Sequence, residues 1–227
     1  MAKKNIVVIG AGGMAREVRW LIEDLSVISP QYEFLGYVVS DLKKLGPHDS
    51  KQEILGDYGW LKQNRAKVDA VAIGIGAPAA RLKVAEELKE LLHGVEYPAL
   101  VHPTAILDRR TAKIEEGVLV CAGVVATVNI TLRKFALCNF GCTLGHEVTV
   151  GCGSVINPGA NISGGVLLGD GVQISTGVQV LQYLMVGNGA TVGAGAVVTK
   201  DVAPGVTVVG IPAKVLASAA HSGNECE

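Results

Sequence analysis

In the stretch "LGHEVTVG", Leu144 to Gly151, an imidazole and a carboxylate stand side by side. His146 is the only histidine between residues 114 and 200, and so the only candidate base there that titrates near neutral pH. A neutral imidazole can take a proton from a hydroxyl or an amine. A carboxylate on its second ring nitrogen would fix the tautomer and raise the basicity. A solvated surface pair is the other reading of the same two residues. A second group with chemical potential is "GAGGMA", Gly10 to Ala15, which follows an apolar run and opens a helical pattern. That context suits a phosphate-binding turn. A dinucleotide would further want an acid at the end of the next strand, where "GYVVSD" offers Ser40 and Asp41.

These residues sit in two halves with different patterning. Residues 1–100 read as α/β. Strands are expected at "KNIVVIG", "EFLGYVVS" and "DAVAIGIG". Helices are expected from about Ala15 to Leu25, over "WLKQNRAKV", and over "PAARLKVAEELKELLHG" up to Gly94. Alternation of this kind predicts a small parallel, Rossmann-like sheet, with three strands where a full dinucleotide fold has more.

From Ile114 the spacing changes to six. Fifteen positions from Ile114 through Val120, Ala126 and onward to Val198 keep phase without a slip, and thirteen of them are Ile, Leu or Val. A second series four residues later, Val118 to Val202, is mostly small or β-branched. A six-residue period is the mark of a parallel β-helix, three hexads to a triangular coil, with glycines at the turns. The expected division is 1–100 for the α/β unit, 101–212 for the β-helix and 213–227 for a C-terminal tail.

Composition removes several functions. Twenty Lys and Arg against twenty-one Asp and Glu give a net charge of −1, which supports neither nucleic-acid nor anionic-membrane binding. No apolar run reaches the ~18 residues of a membrane helix, and the N-terminal apolar run is too short for a signal peptide. The five cysteines (121, 138, 142, 152 and 226) are odd in number and lack a CxxC pair, as expected of reduced thiols in a cytoplasmic protein.

The order "IGAGGMAREV", "AIGIG", "HPTA", "GHEV", "NPGANISGG", "VGAGAVVTKDV", "GIPAKV" resembles the left-handed β-helix sugar O- and N-acetyltransferases of the sialic-acid and bacillosamine type, over nearly the whole chain. The resemblance implies acetyl transfer from acetyl-CoA, without a metal, to an amino or deoxy sugar for polysaccharide biosynthesis. It implies His146 as general base and Glu147 as the carboxylate behind it, with the Gly164 N–H as oxyanion donor; an ordinary coil turn is the alternative for Gly164. It implies a homotrimer, with acetyl-CoA between two β-helices against Thr176 and Ala194. Lys214 would meet the CoA phosphates, or is a solvated lysine. The family's second histidine, nine residues after the first, is Val155 here, which leaves Asn157 as a candidate replacement.

The same resemblance implies that the N-terminal half holds a nucleotide-linked sugar through Gly12, Gly13, Met14, Ser40, Asp41 and Gly74. The family has His at position 14 and two acids at positions 39 and 40, where this chain has Met14, Val39 and Ser40. A nucleotide other than uridine, guanosine or thymidine nearest, is therefore expected. The alternatives are a free sugar such as sialic acid, an NAD-dependent oxidoreductase built on Gly10–Ala15, and a bare scaffold. A three-histidine zinc site is disfavoured, because the only histidines from residue 100 onward are His102, His146 and His221.

Overall fold

The computed structural model describes residues 3–49 and 51–216. His221 and Cys226 of the expected tail lie outside the described residues. The N-terminal unit is built from β1 (Lys4–Ile9), α1 (Gly13–Ile28), β2 (Tyr32–Val38), β3 (Ile54–Gly56), α2 (Tyr58–Gln63), β4 (Ala70–Ile73) and α3 (Pro78–Leu91). Its sheet is parallel in the order β3-β2-β1-β4, so it has four strands and not three. The additional one, β3, spans three residues, too few to show alternation.

Strand alternation decides which helix each residue meets. Ile6, Val8, Ala70 and Ala72 pack with Ala15, Val18, Leu21 and Ile22 of α1. Val7, Ile9, Val71 and Ile73 pack with Ala85 and Leu88 of α3. Both layers continue into the second half of the molecule. The α1 layer includes Leu119, Leu137 and Val155, and the α3 layer includes Phe135. Trp20 of α1 lies against Phe140 and His102, at ring-centroid separations of 5.8 and 6.1 Å. Asp24 of α1 meets His102 Nε2 at 2.8 Å. Because the Thr104 N–H donates to His102 Nδ1, Nε2 carries the proton given to Asp24.

The second half is a triangular prism of two-residue strands. One face starts at Leu100–Val101, the next at Ile106–Leu107 and the third at Lys113–Ile114. Residues eighteen apart pair in parallel, as in Thr143 with Asn161 and Leu144 with Ile162. The coils begin two strands before Ile114, where the six-residue phase starts. From Leu107 to Ile114 the step is seven, and Asp108 holds the longer turn by accepting from the Arg110 backbone N–H and the Thr111 hydroxyl.

Both hexad series point inward, from Val120 to Val198 and from Val118 to Val202, with Leu184 the one partly buried member of the second. Each buried Val, Leu or Ile contributes about 1.5–3 kcal/mol by transfer from water. Ser154 interrupts this aliphatic stack at 0% exposure without leaving an orphan. Its Oγ donates to Gly169 O at 2.6 Å and accepts from the Val172 N–H at 2.8 Å. The final strand, Lys214–Val215, runs antiparallel to Thr207–Val209, so the expected tail begins as structured chain. Among the described residues no helix is long and apolar enough to cross a membrane.

Candidate active site

His146 stands on one corner of the prism. Along that corner Asn129, Glu147, Gly165 and Tyr183 recur every eighteen residues, and all four have positive φ, Glu147 at 64°. Neighbouring side chains on an extended strand would diverge. The left-handed turn at Glu147 instead brings its Oε2 to 3.7 Å from His146 Nδ1, both side chains being half exposed. That separation is ion-pair range and longer than a hydrogen bond. The corner backbone is fixed from both sides, since the Glu147 N–H donates to Val128 O and the Gly165 N–H to His146 O.

The other ring nitrogen, Nε2, lies over Gly164 of the next coil. A Cβ on Gly164 would fall inside van der Waals contact with Nε2 and the two ring carbons beside it. Gly145 is constrained in the same way, because a Cβ there would sit 2.5 Å from the Gly164 nitrogen. Two missing side chains therefore let the Gly164 backbone lie close against the imidazole. Among the described residues the Gly164 N–H has no hydrogen-bond acceptor, while the Gly164 carbonyl accepts from the Tyr183 N–H. At the same turn position on another corner, the Cys152 and Asp170 N–H groups are taken by the side chains of Asp170 and Asn188. The His146 corner thus combines a base with an unpartnered donor.

Tyr183 belongs to this corner and has no counterpart among the sequence expectations. Its ring occupies the space a Gly165 Cβ would need and lies 6.3 Å from the imidazole. It is 70% exposed and holds a left-handed backbone that a tyrosine rarely adopts. The signal available in the sequence was its place in the eighteen-residue series with Glu147 and Gly165.

Thr176 and Ala194 are exposed on the neighbouring corner, in the column that also carries Phe140 and Pro158. The face running from Ile106–Leu107 to Val197–Val198 separates the two corners. One chain therefore does not bring Thr176 and Ala194 to His146. Asn157 gives its Nδ2 hydrogen to Ile174 O at 2.9 Å, so its amide is already engaged. Val155 is wholly buried under the N-terminal unit. Lys214 is exposed in the last strand.

A cleft of about 480 Å³ opens at the carboxyl ends of β1 and β2. Gly12, Gly13, Ser40 and Asp41 line it, with Arg16, Lys44 and His48. Gly12 is the N-cap of α1 and supplies no side-chain cap, so the first-turn N–H groups stay available. Arg16 Nη1 pairs with Asp49 at 2.7 Å, and the other Asp49 oxygen accepts from the Gly46 N–H, which holds the far wall. Met14 and Gly74 do not line the cleft. Met14 is partly buried against the α1 core, and Gly74 lies beneath α1, where a Cβ would strike the Ala15 backbone. Among the described residues no group of three or more His, Cys, Asp and Glu could hold a metal ion.

The PglD N-terminal domain family matches residues 5–88. No curated protein matches the chain. Among solved structures, WeeI from Acinetobacter baumannii AYE is 31% identical, with 94% of this chain and 100% of that one covered and a TM-score of 0.80. The acetyltransferase domain of PglB from Neisseria gonorrhoeae FA1090 is 30% identical over 94% and 100%, with a TM-score of 0.82. A variant perosamine N-acetyltransferase from Caulobacter crescentus, solved with CoA and GDP-perosamine, is 26% identical over 96% and 99%, with a TM-score of 0.84. With 30% identity or more to two structures that it spans from end to end, the chain belongs to the left-handed β-helix sugar acetyltransferases.

Proposed function

We propose that the chain acetylates the amino group of a nucleotide-linked amino sugar with acetyl-CoA, using His146 as general base. The observation that carries this reading is the His146 corner, where Nε2 lies against Gly164, whose N–H is unpartnered, while Nδ1 turns to Glu147. The neutral sugar amine attacks the thioester carbonyl. His146 Nε2 takes the proton that the amine loses, and the carbon–sulfur bond breaks to release CoA as thiol, which regains that proton. The Gly164 N–H is placed to stabilise the oxygen that becomes negative on the way. Glu147 favours the tautomer with its proton on Nδ1, which leaves Nε2 free to accept. The direct test is acetyl-CoA consumption across a panel of nucleotide-linked amino sugars, with sialic acid as the O-acetylation control.

The active enzyme is a C3 homotrimer in this reading. Thr176 and Ala194 stand one corner away from His146, so a neighbouring β-helix must supply them if acetyl-CoA is to span both. Light scattering is expected to give three times the chain mass. A stable monomer with full activity would refute it. The 1–100, 101–212 and 213–227 division follows the same assignment, with the sugar nucleotide held by the first segment and acetyl-CoA by the second. A cytoplasmic location fits both cosubstrates.

The glycine-lined cleft takes the nucleotide diphosphate, with phosphate oxygens at the uncapped start of α1 and Arg16 and Lys44 nearby. Among the described residues nothing lies within 4 Å of the position a Gly12 Cβ would take, and its φ of −67° suits any residue. Gly12→Val should therefore fold and fill the cleft. We expect the KM for the sugar nucleotide to rise by roughly tenfold or more, with the KM for acetyl-CoA unchanged. Calorimetry with GDP-, TDP- and UDP-sugars would rank the bases. Binding of none of them, together with turnover of a free sugar, would overturn the nucleotide assignment.

A further inference from the structure

Arg81, in the first turn of α3, is the largest fully buried side chain among the described residues. Among the described residues no carboxylate pairs with it. Its Nε donates to Phe135 O at 2.5 Å, Nη1 to Ile73 O at 2.6 Å and Ile75 O at 3.2 Å, and Nη2 to Gly117 O at 3.3 Å. These four carbonyls come from two places. Ile73 ends β4, and Ile75 lines the cleft two residues later. Gly117 and Phe135 are successive turns on one corner of the β-helix, and both have left-handed backbones.

Burial pushes the guanidinium down to about 10, which leaves it charged near neutral pH. A buried cation facing only carbonyl dipoles is a costly way to fill a helix–coil junction. Apolar side chains of similar volume at buried ionic sites are often neutral or stabilising. An apolar group has no directional contacts, however. The planar fork of an arginine fixes both the separation and the angle of the groups it joins.

We infer that Arg81 is a positioning residue: it locks the cleft loop at Ile75 in register with the coils, so that a sugar anchored by its nucleotide presents its amine at the depth of His146. This rests on the nucleotide-sugar reading above. Two other polar side-chain ties join the N-terminal unit to the coils among the described residues: Asp24 of α1 with His102, on the far side of the sheet from α3, and Lys89 near the end of α3 with Glu116 at 2.6 Å; neither engages the Ile75 loop. A displacement of 1 Å at a remote anchor can lower a rate by about 10²-fold.

The experiment compares full-length wild type with Arg81→Lys, which keeps charge but loses the fork, and Arg81→Gln, which keeps two donors without charge. Five quantities are read: turnover of a nucleotide-linked amino sugar, turnover of the same sugar as its methyl glycoside, the KM for acetyl-CoA, calorimetric binding of GDP, TDP and UDP, and melting temperature. Expected is a fall of roughly tenfold or more in kcat/KM on the nucleotide-linked sugar. Nucleotide affinity, KM for acetyl-CoA and turnover of the methyl glycoside should stay within about twofold. Nucleotide affinity that weakens in step with kcat/KM overturns the inference, because Arg81 would then shape the cleft alone. Equal losses on both acceptors also overturn it, since a merely structural residue behaves that way. If Arg81→Gln does not fold, Arg81→Lys carries the comparison. A wild type that shows no preference for the nucleotide-linked sugar overturns the nucleotide reading and this inference together. A wild type with that preference, matched by Arg81→Lys, overturns the inference alone.

Discussion

His146→Ala lowers kcat by on the order of 10²-fold or more while acetyl-CoA binding stays nearly unchanged. The side chain is half exposed, and the corner backbone is held by the Gly165 N–H on His146 O and by the neighbouring Glu147 N–H on Val128 O. Its truncation therefore removes a proton acceptor without opening the core. Loss of the base should appear in kcat and kcat/KM alike, because proton removal belongs to the transition state and not to substrate binding. Glu147→Gln should cost less. It keeps a group that can hydrogen-bond near Nδ1 but removes the charge that favours the developing imidazolium, and at 3.7 Å and half exposure that charge is partly screened. Steady-state kinetics with calorimetry for acetyl-CoA measure both. Near-wild-type turnover of His146→Ala would return the pair to the status of a solvated corner.

Gly164→Ala is expected to lower kcat by about 10²–10³-fold, comparable with losing one oxyanion donor. The backbone at Gly164 lies outside the left-handed region, so alanine can adopt it. The atoms that the new methyl meets first belong to the His146 ring, which can rotate outward into solvent. Stability should therefore change little, while the base is pushed aside and the approach to the Gly164 N–H narrows. Gly145 makes a useful contrast. A methyl there meets backbone, which cannot swing away, so Gly145→Ala should lose stability along with activity. Melting temperature and kcat measured together distinguish a blocked site from a broken coil. Full turnover by Gly164→Ala, which keeps the backbone N–H, would show that neither the His146 ring position nor the open approach to that N–H matters to the reaction.

The fold was legible wherever a period ran long enough. The phase from Ile114 to Val198 marks one inward position in each hexad, because each coil repeats one geometry, while the series four residues later, whose small residues suggested a corner, is buried as well. The two strands before it, Leu100–Val101 and Ile106–Leu107, escaped because the seven-residue turn at Asp108–Thr111 breaks the phase. Ile54–Gly56 escaped because three residues beside a longer strand carry no pattern of their own. At the site, "GHE" marked the candidate base and its neighbouring carboxylate. Their geometry depends on the φ of Glu147, which a carboxylate at a glycine-type position does not announce. Arg81 was illegible for a related reason. An arginine between two alanines and a leucine on a helix reads as solvent-facing, and only the docking of α3 onto the coils buries it.

The placement of Trp20 against Phe140 and His102 gives the molecule a built-in optical separation. Both tryptophans, Trp20 and Trp60, belong to the N-terminal unit, and of five tyrosines only Tyr183 lies in the coils. Indole emission therefore originates entirely outside the β-helix, and Trp20, 47% exposed at the seam with the coils, senses whether the two halves touch. The sole phenol of the coils stands 6.3 Å from the His146 ring. Trp20 is thus the indole at the seam and Tyr183 the phenol at the His146 corner, each read against the other members of its class in the N-terminal unit.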